Sequence, residues 1–489
     1  MILKIRHLNW SAGRPVAILN KKTAEKLGAN VNERISLKDS HGEILAVLDT
    51  ASGFIKENEV AVSKEVNELI NLKKSENIEV SLAPILKSLD LIKKKMNGKT
   101  LNKSEIKLVV KDIVNNSLSE ADVSFFVSAV YKNGMSLEET AHLIEAFLAT
   151  GKILKIPGKI IADKHSIGGI AGNRTTPLIV SICAAAGLII PKTSSRAITS
   201  AAGTADVIET IANVGFSIKQ LKTIIKKTNA FMVWGGSFDL VPADSEILRI
   251  EKNLRLDVSS FLLASIISKK LSVGSTHIII DIPYGKSAKV NLKQALDLKN
   301  RFEYLGKRFK LKLKCIITNG EQPIGNGIGP VLELIDILNI LQGKGHPKDL
   351  EEKSIFLSGQ LLELAGKAKK NEGKRLAEEI LYSGKAFKKF KEIIEAQGGK
   401  ISHLSPGKFF FDIKTKKSGR IFEIDNKKIN ELARIAGCPS DKRSGLYLHF
   451  HVGEVIKKNK KILTIYSESN YRLKKAIKFY KNSPSITIK

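Results

Sequence analysis

Two loops in the sequence concentrate groups that hold anions. The first is Asp163-Lys-His-Ser-Ile-Gly-Gly-Ile-Ala-Gly-Asn-Arg-Thr-Thr-Pro177, which follows a short apolar run and leads into an apolar helix. A loop that feeds a helix N-terminus presents unpaired N–H groups and the positive end of the helix dipole. Gly168, Gly169 and Gly172 let the backbone approach a ligand closely, Lys164 adds charge, and Ser166, Thr175 and Thr176 add hydroxyl donors. That set suits a phosphate or a carboxylate. The spacing is neither GxxxxGK[ST] nor that of a dinucleotide loop. The second loop, Thr193-Ser-Ser-Arg-Ala-Ile-Thr-Ser-Ala-Ala-Gly-Thr204, also lies between an expected strand and a helix and crowds hydroxyls around Arg196. Either loop alone also reads as a turn capping a core helix. Two on neighbouring strand ends point to a ligand with two anionic groups, or to two anionic ligands.

A third stretch runs from Leu256 to Lys270. Asp257, Phe261, Ser265 and Lys269 recur at i+4, which predicts a slowly turning row on one helix face. A carboxylate, a hydroxyl and an ammonium along such a row could grip and protonate a polar ring; the same pattern fits an N-terminal Asp favoured by the helix dipole plus ordinary surface polarity. Lys289, after the run His277-Ile-Ile-Ile-Asp-Ile, could neutralise a second phosphate or simply be solvated. His449 and His451 alternate on an expected strand but supply only two metal ligands, and neither HExxH nor a Cys/His cluster occurs. No metal site is expected.

These segments need elements to hold them. Residues 1–84 alternate in short β-like runs, such as Pro15-Val-Ala-Ile-Leu and Arg34-Ile-Ser-Leu, and predict a β-rich N-terminal domain. From Pro84 the period becomes helical; Asn102-Lys-Ser-Glu and Ser136-Leu-Glu-Glu carry the capping-box pattern, and Ser119 starts a further helix, giving a helical domain over 85–156. Residues 157–344 alternate strand, loop and helix, with strands expected at Lys159–Ala162 and Leu188–Pro191. This predicts a large α/β domain with a mostly parallel sheet, whose ligands sit at the C-terminal strand ends. Residues 345–489 pass from lysine-rich helices to β-rich runs, an α+β domain. The whole reads as a multidomain α/β protein.

Composition bounds the rest. The chain has 489 residues, 43% of them hydrophobic, enough for large cores and too many for a disordered chain. The longest uncharged stretch, Thr175–Pro191, is shorter than the roughly 20 residues needed to span a bilayer. The opening MILKIRHLNWSAG lacks the apolar core of a secretory signal, and the 3 cysteines form no disulfide framework, so a cytoplasmic protein is expected. The formal charge is +31, yet only 14 of the 80 basic residues are arginine and the lysines are spread along the chain. Nucleic-acid readers favour arginine and interleaved aromatics, and aromatics are 6% here. Neither a nucleic-acid nor a membrane partner is expected, although a basic RNA-binding protein is the reading of a different class. The positive field would draw in small anions.

The loops resemble the thymidine/pyrimidine-nucleoside phosphorylase family, and within it the archaeal-type AMP phosphorylases. The resemblance rests on Asp163–Gly169, on Ser194-Ser-Arg-Ala-Ile-Thr-Ser-Ala-Ala-Gly-Thr-Ala-Asp-Val-Ile-Glu209, and on Pro242-Ala-Asp244, Ala264–Lys270 and Gln322-Pro-Ile-Gly325. Ser195 and Ile198 stand where the family signature has glycine and leucine, and Ser200 where bacterial thymidine phosphorylases often carry histidine. The arginine those enzymes use on the base would be Arg249 or Arg255. The resemblance implies phosphorolysis of AMP, with CMP and UMP as further substrates, to free base and ribose 1,5-bisphosphate. Inorganic phosphate is the co-substrate, and no cofactor is implied. It implies that Lys164, Ser166, Thr176, Ser194 and Thr204 hold phosphate. Gly169, Ser195, Arg196, Ala197, Ile198, Thr199, Ser200, Thr204, Ser265 and Lys289 would contact AMP, with Lys269 at the base or sugar. Asp257 would be the proton donor. Residues 241–272 would join the helical domain, so that Asp257, Ser265 and Lys269 face the phosphate loops across a cleft. A homodimer or larger homo-oligomer is implied, and the C-terminal domain resembles a hammerhead fold. A pyrimidine-nucleoside phosphorylase is the near alternative, and a phosphoribosyltransferase, with a similar helical module, a looser one.

Overall fold

The computed structural model describes residues 1–489 except 41, 71–76, 198–199, 239, 346 and 403. The chain forms two compact units, Met1–Thr150 with Pro242–Ala264, and Gly151–Val241 with Ser265–Lys489.

The first unit begins with six strands, β1 (Ile2–His7), β2 (Val16–Asn20), β3 (Arg34–Asp39), β4 (Gly42–Ala51), β5 (Glu59–Val62) and β6 (Asn77–Leu82). They close into a barrel in the order β1-β5-β2-β4-β3-β6, which leaves no sheet edge unpaired. Alternation decides which side chains enter it: Leu3 and Ile5 of β1, like Ile78 and Val80 of β6, are buried while their neighbours are not. Sequence reading missed β1 and β5, and with them the closure, because both close the barrel only through partners distant in the chain.

Helices Lys87–Met96, Lys103–Val114, Glu120–Asn133 and Leu137–Thr150 follow. The expected caps are present: Asn102 with Glu105, Ser119 with Asp122, and Ser136 with Glu139, each side chain satisfying the other residue's backbone N–H. Helix Pro242–Leu254 packs against the last three of these helices, and Arg249 ties it to Glu120 at 3.2 Å. At the core, Lys95 Nζ donates to Glu139 Oε1 at 2.8 Å, both side chains being almost wholly buried.

The second unit is built on β7 (Ala162–Ser166), β8 (Ile190–Ser194), β9 (Ala230–Trp234), β10 (His277–Tyr284) and β11 (Lys312–Asn319). The parallel ladders β11-β10-β7 and β8-β9 are joined by a parallel bridge between Ile161 and Ile189. Both β7 and β8 lie later than the sequence predicted. Asp163, Lys164 and Lys192, expected in loops or at strand ends, are strand residues because each is buried with a partner. From β7 the chain steps to β8 and β9 on one side, then returns to lay β10 and β11 on the other. The connections leaving β7 and β10 therefore diverge, which opens a crevice at the C-terminal ends of those strands.

The remainder of this unit packs helices Lys348–Leu364, Gly373–Tyr382 and Lys385–Ala396 into the core beside the sheet. It ends in two small antiparallel sheets with helices Asn426–Ala436 and Asn470–Asn482. The strand expected to hold His449 and His451 stops at Leu448; past it the two rings separate, His449 bonding Thr464 and His451 bonding Asn326.

Lys95→Met leaves the Glu139 carboxylate buried without its counter-ion and should cost about 3–5 kcal/mol of stability near neutral pH, read as a lowered urea midpoint. Burial pushes the Glu139 carboxyl up, but Lys95 and the N–H groups of Leu101 and Ser136 outweigh it and hold the carboxyl below its ordinary value. The stability this pair adds is present above the ordinary carboxylate pKa and lost as pH falls through the folded value. The gap between variant and parent should therefore narrow on acidification.

Candidate active site

The site begins with an acid that has no access to water. Asp163, in β7, is fully buried and accepts from Lys270 Nζ at 2.6 Å and from the Lys164 backbone N–H at 2.7 Å, with Lys192 Nζ at 3.5 Å. Lys192 also donates to the Lys164 carbonyl at 2.9 Å. Lys164 sends its ammonium to Thr175 Oγ1 at 2.8 Å, at the first residue of helix Thr175–Ala185. Asp281 is the matching acid in β10. It accepts from Thr318 Oγ1 at 2.6 Å, Lys353 Nζ at 3.2 Å and Asn173 Nδ2 at 3.4 Å.

The electrostatics follow from burial. Burial would raise the Asp281 carboxyl, but the Lys353 and Lys164 ammoniums outweigh it and keep it below the ordinary value. Lys164 is brought down to about 8, first by burial; Asp281 opposes this, and Lys353 and Arg174 add to it. Lys192 is pushed far below an ordinary amine by burial, and Asp163 only partly offsets this. His165 lies well below the usual imidazole value, again by burial first and then by Lys270, Lys192, Lys269 and Lys164, so the ring is neutral at pH 7. Ammonium groups outnumber carboxylates here, an imbalance that an incoming anion would relieve. His165 Nδ1, Asn173 Oδ1 and Thr193 Oγ1 are buried with no partner among the described residues, and such atoms are where a ligand or water is to be sought.

The second loop follows β8 and is drawn tight by Asp206, which accepts from the N–H groups of Ala197 at 2.7 Å and Gly203 at 2.8 Å. A side chain at Gly203 would meet the Ser195 carbonyl oxygen at 2.5 Å, so the loop closes only with glycine there. Arg196 makes two 2.6 Å bonds to Glu209 and stacks over Trp234 at 4.9 Å. Its guanidinium thus braces the loop, and Ser195 is exposed beside it. Ser194 donates to the Val233 carbonyl at 3.4 Å, and Ser200 to that of Ala202 at 2.6 Å. Ile198 and Thr199 lie outside the described residues. Arg174 joins the two loops. It pairs with Glu333 at 2.6 Å, donates to Thr204 Oγ1 at 3.2 Å and reaches the Ala202 carbonyl.

On the other side of β7, the loop after β10 brings Lys289 against the first loop. A Cβ at Gly169, whose φ is +92°, would lie 2.8 Å from both the Lys289 Cβ and its backbone nitrogen. Glycine at 169 is therefore what permits this approach. Lys289 lines a cavity of about 500 Å³ with Tyr284, Lys286, Asn291, Gln294 and Lys427 among its walls. Lys164, Ser166, Gly169, Thr176, Ser194, Thr204 and Lys289 thus come from β7, β8 and the loops and helix starts that follow β7, β8 and β10. Lys269 Nζ donates to Ser265 Oγ at 3.0 Å on one helix, and Ser265 is nearly buried.

The row expected from Asp257 to Lys269 does not form as drawn. The helix begins at Ser259, so Asp257 lies exposed in the segment before it, and Phe261 is buried against Phe126 at a ring separation of 5.9 Å. An i+4 row needs all its members inside the helix, and an aromatic in it is taken by the core. Arg249 is engaged by Glu120 and Glu246, while Arg255 is exposed at φ +55°. Sequence reasoning assigned no role to Asp163, Lys192, Lys270, Asp281, Lys353 or Arg174. The signal was a lone charged residue inside an apolar strand, as in His277-Ile-Ile-Ile-Asp-Ile and Ile189-Ile-Pro-Lys. Among the described residues no group of three or more His, Cys, Asp or Glu could hold a metal ion, and no helix is long and apolar enough to cross a membrane.

Three family models match the chain. They describe a glycosyl transferase family helical bundle domain over residues 89–151, a glycosyl transferase family a/b domain over 158–280, and a pyrimidine nucleoside phosphorylase C-terminal domain over 421–487. An AMP phosphorylase of Thermococcus kodakarensis is 42% identical over 494 residues, covering 100% of this chain and 98% of the relative. A putative thymidine phosphorylase of Legionella pneumophila is 38% identical, covering 99% of this chain and 95% of the relative. Anthranilate phosphoribosyltransferase from Thermus thermophilus shares the fold at a TM-score of 0.53 and 17% identity, over 63% of this chain and 100% of that one. A match of this extent to the first of these places the chain in the AMP phosphorylase branch of the thymidine/pyrimidine-nucleoside phosphorylase family.

Proposed function

We propose that the chain phosphorolyses AMP: an oxygen of orthophosphate bonds to C1′ of the ribose, the bond from C1′ to the base nitrogen breaks, and adenine leaves with a proton. The second product is ribose 1,5-bisphosphate. CMP and UMP carry the same sugar phosphate and are expected as further substrates. The observation that carries the reading is the cluster of buried lysines around β7, Lys164, Lys192 and Lys270, with the backbone of Lys289, from the loop after β10, packed against Gly169. That provides for two anionic groups, as a nucleoside monophosphate and orthophosphate require.

In this reading Lys164, Ser166, Thr176, Ser194 and Thr204 hold orthophosphate. Gly169, Ser195, Arg196, Ala197, Ile198, Thr199, Ser200, Thr204, Ser265 and Lys289 contact AMP, with Lys269 at the base or sugar. Fixing the nucleophile in line contributes several kcal/mol of orientation. Asp257 supplies the proton to the departing base, a general-acid step typically worth ~10²–10⁴-fold. Orthophosphate itself provides the negative charge facing the cationic sugar, so the scheme calls for no cofactor. A cytoplasmic homodimer or larger homo-oligomer belongs to the same reading.

The second reading is a pyrimidine-nucleoside phosphorylase, favoured by the match to putative thymidine phosphorylases. Phosphate-dependent base release from AMP, CMP, UMP, adenosine and thymidine separates the two. The proposal expects monophosphates to be preferred over nucleosides, and that preference to collapse in Lys289→Ala. Release from thymidine but not from AMP overturns it. Asp257→Asn should keep AMP binding and lose ~10²–10⁴-fold in kcat; turnover near that of the parent would remove Asp257 from the proton step.

A pH dependence follows from Lys164. The ammonium is the form that attracts phosphate and is lost as pH rises through about 8. KM for orthophosphate should therefore climb above that pH, with kcat less affected. Lys164→Met should have a high KM already at pH 7 and no such limb.

A further inference from the structure

No residue of the C-terminal helix Asn426–Ala436 is proposed above to contact ligand, although its Lys427 lines the cavity at Lys289; yet this helix also touches the loops that build the site. Asn426, the first residue of helix Asn426–Ala436, is fully buried. Its Oδ1 accepts from the Ala171 N–H at 3.1 Å, in the loop after β7. Its Nδ2 donates to Ser287 Oγ at 3.2 Å, after β10, and to the Gly320 carbonyl at 3.1 Å, after β11. The Asn426 backbone N–H also donates to Ser287 Oγ, at 3.0 Å. One turn on, the nearly buried Asn430 accepts from the Ala201 N–H at 2.9 Å, in the loop after β8.

Positions four apart share a helix face. One face therefore reaches the loops after β7, β8, β10 and β11, and three of these contacts lie close in sequence to a residue proposed to bind ligand: Ala171 near Gly169, Ala201 near Thr204, and Ser287 near Lys289. Both N–H groups that the two side-chain oxygens accept are buried, and a buried donor stripped of its acceptor is costly enough to move the loop that carries it.

We infer that Asn426 and Asn430 are positioning residues: the C-terminal helix sets the relative placement of the phosphate-binding and nucleotide-binding loops. This rests on the phosphorolysis reading for its kinetic consequences, but not for its binding ones. A residue that only stabilised the C-terminal domain would alter melting and leave ligand affinity alone. A positioning residue alters KM in a protein that is still folded.

The test compares Asn430→Leu with Asn430→Asp, which keeps an oxygen for the Ala201 N–H. Under conditions where both are folded by circular dichroism, the Leu variant should raise KM for orthophosphate and AMP about ten-fold, and the Asp variant should restore both towards the parent. Asn426→Ala should speed hydrogen exchange in the peptide containing Ala171; if it fails to fold, the Asn430 pair decides alone. Parent-like KM in the Leu variant, or equal loss in both variants, overturns the inference. Titration of each protein with orthophosphate alone reads loop placement without turnover. A parent that binds orthophosphate but releases no adenine would remove the phosphorolysis reading and leave this comparison intact.

Discussion

A carboxylate buried among lysines is the constraint on which the second unit depends. Asp163 lies in a central strand with no water to solvate it, so its two oxygens must be met by protein groups, and Lys270 and Lys192 come from other elements to do so. Each of those ammoniums is itself too costly to bury without a partner. The result is mutual: strand β7, strand β8 and the helix carrying Lys270 are held in one arrangement by charges that cannot separate without being stranded. Asp281 repeats the device in β10 with Lys353 and Thr318. Lysines nevertheless outnumber the acids around these two strands.

Topology converts that local charge into a site. With β10 returning to the far side of β7, loops that leave in opposite directions border a single crevice. Close backbone approach then matters more than side-chain chemistry. Gly169 lets the Lys289 loop in, and Gly203 lets the Arg196 loop fold onto itself. Arg196 is fixed in the second loop by Glu209 and Trp234. Arg174, by contrast, bridges the two loops and reaches Thr204.

The same surplus bears on how anions would be bound and released. Lys164 sits near the pH at which it loses its charge, because burial and neighbouring cations work against Asp281. An anion arriving beside it would favour the ammonium, so binding and protonation are linked. Burial first, and then the surrounding lysines, disfavour charging of His165.

Local chemistry was legible in the sequence. The capping boxes at Asn102, Ser119 and Ser136, the strand alternation in runs such as Arg34-Ile-Ser-Leu, and the glycine-rich loops flanked by apolar runs all depend on neighbours within a few positions. The family motifs could be read for the same reason. Only the tertiary structure decided which charged residues belong to strands, because Asp163, Lys164 and Lys192 are strand residues by virtue of partners far along the chain. It likewise decided that Asp257 precedes its helix, that Phe261 is core, and that Asn426 reaches loops more than a hundred residues away. A sequence specifies short-range hydrogen bonds and periodicity directly, whereas the worth of a buried charge is set by whatever the fold brings beside it.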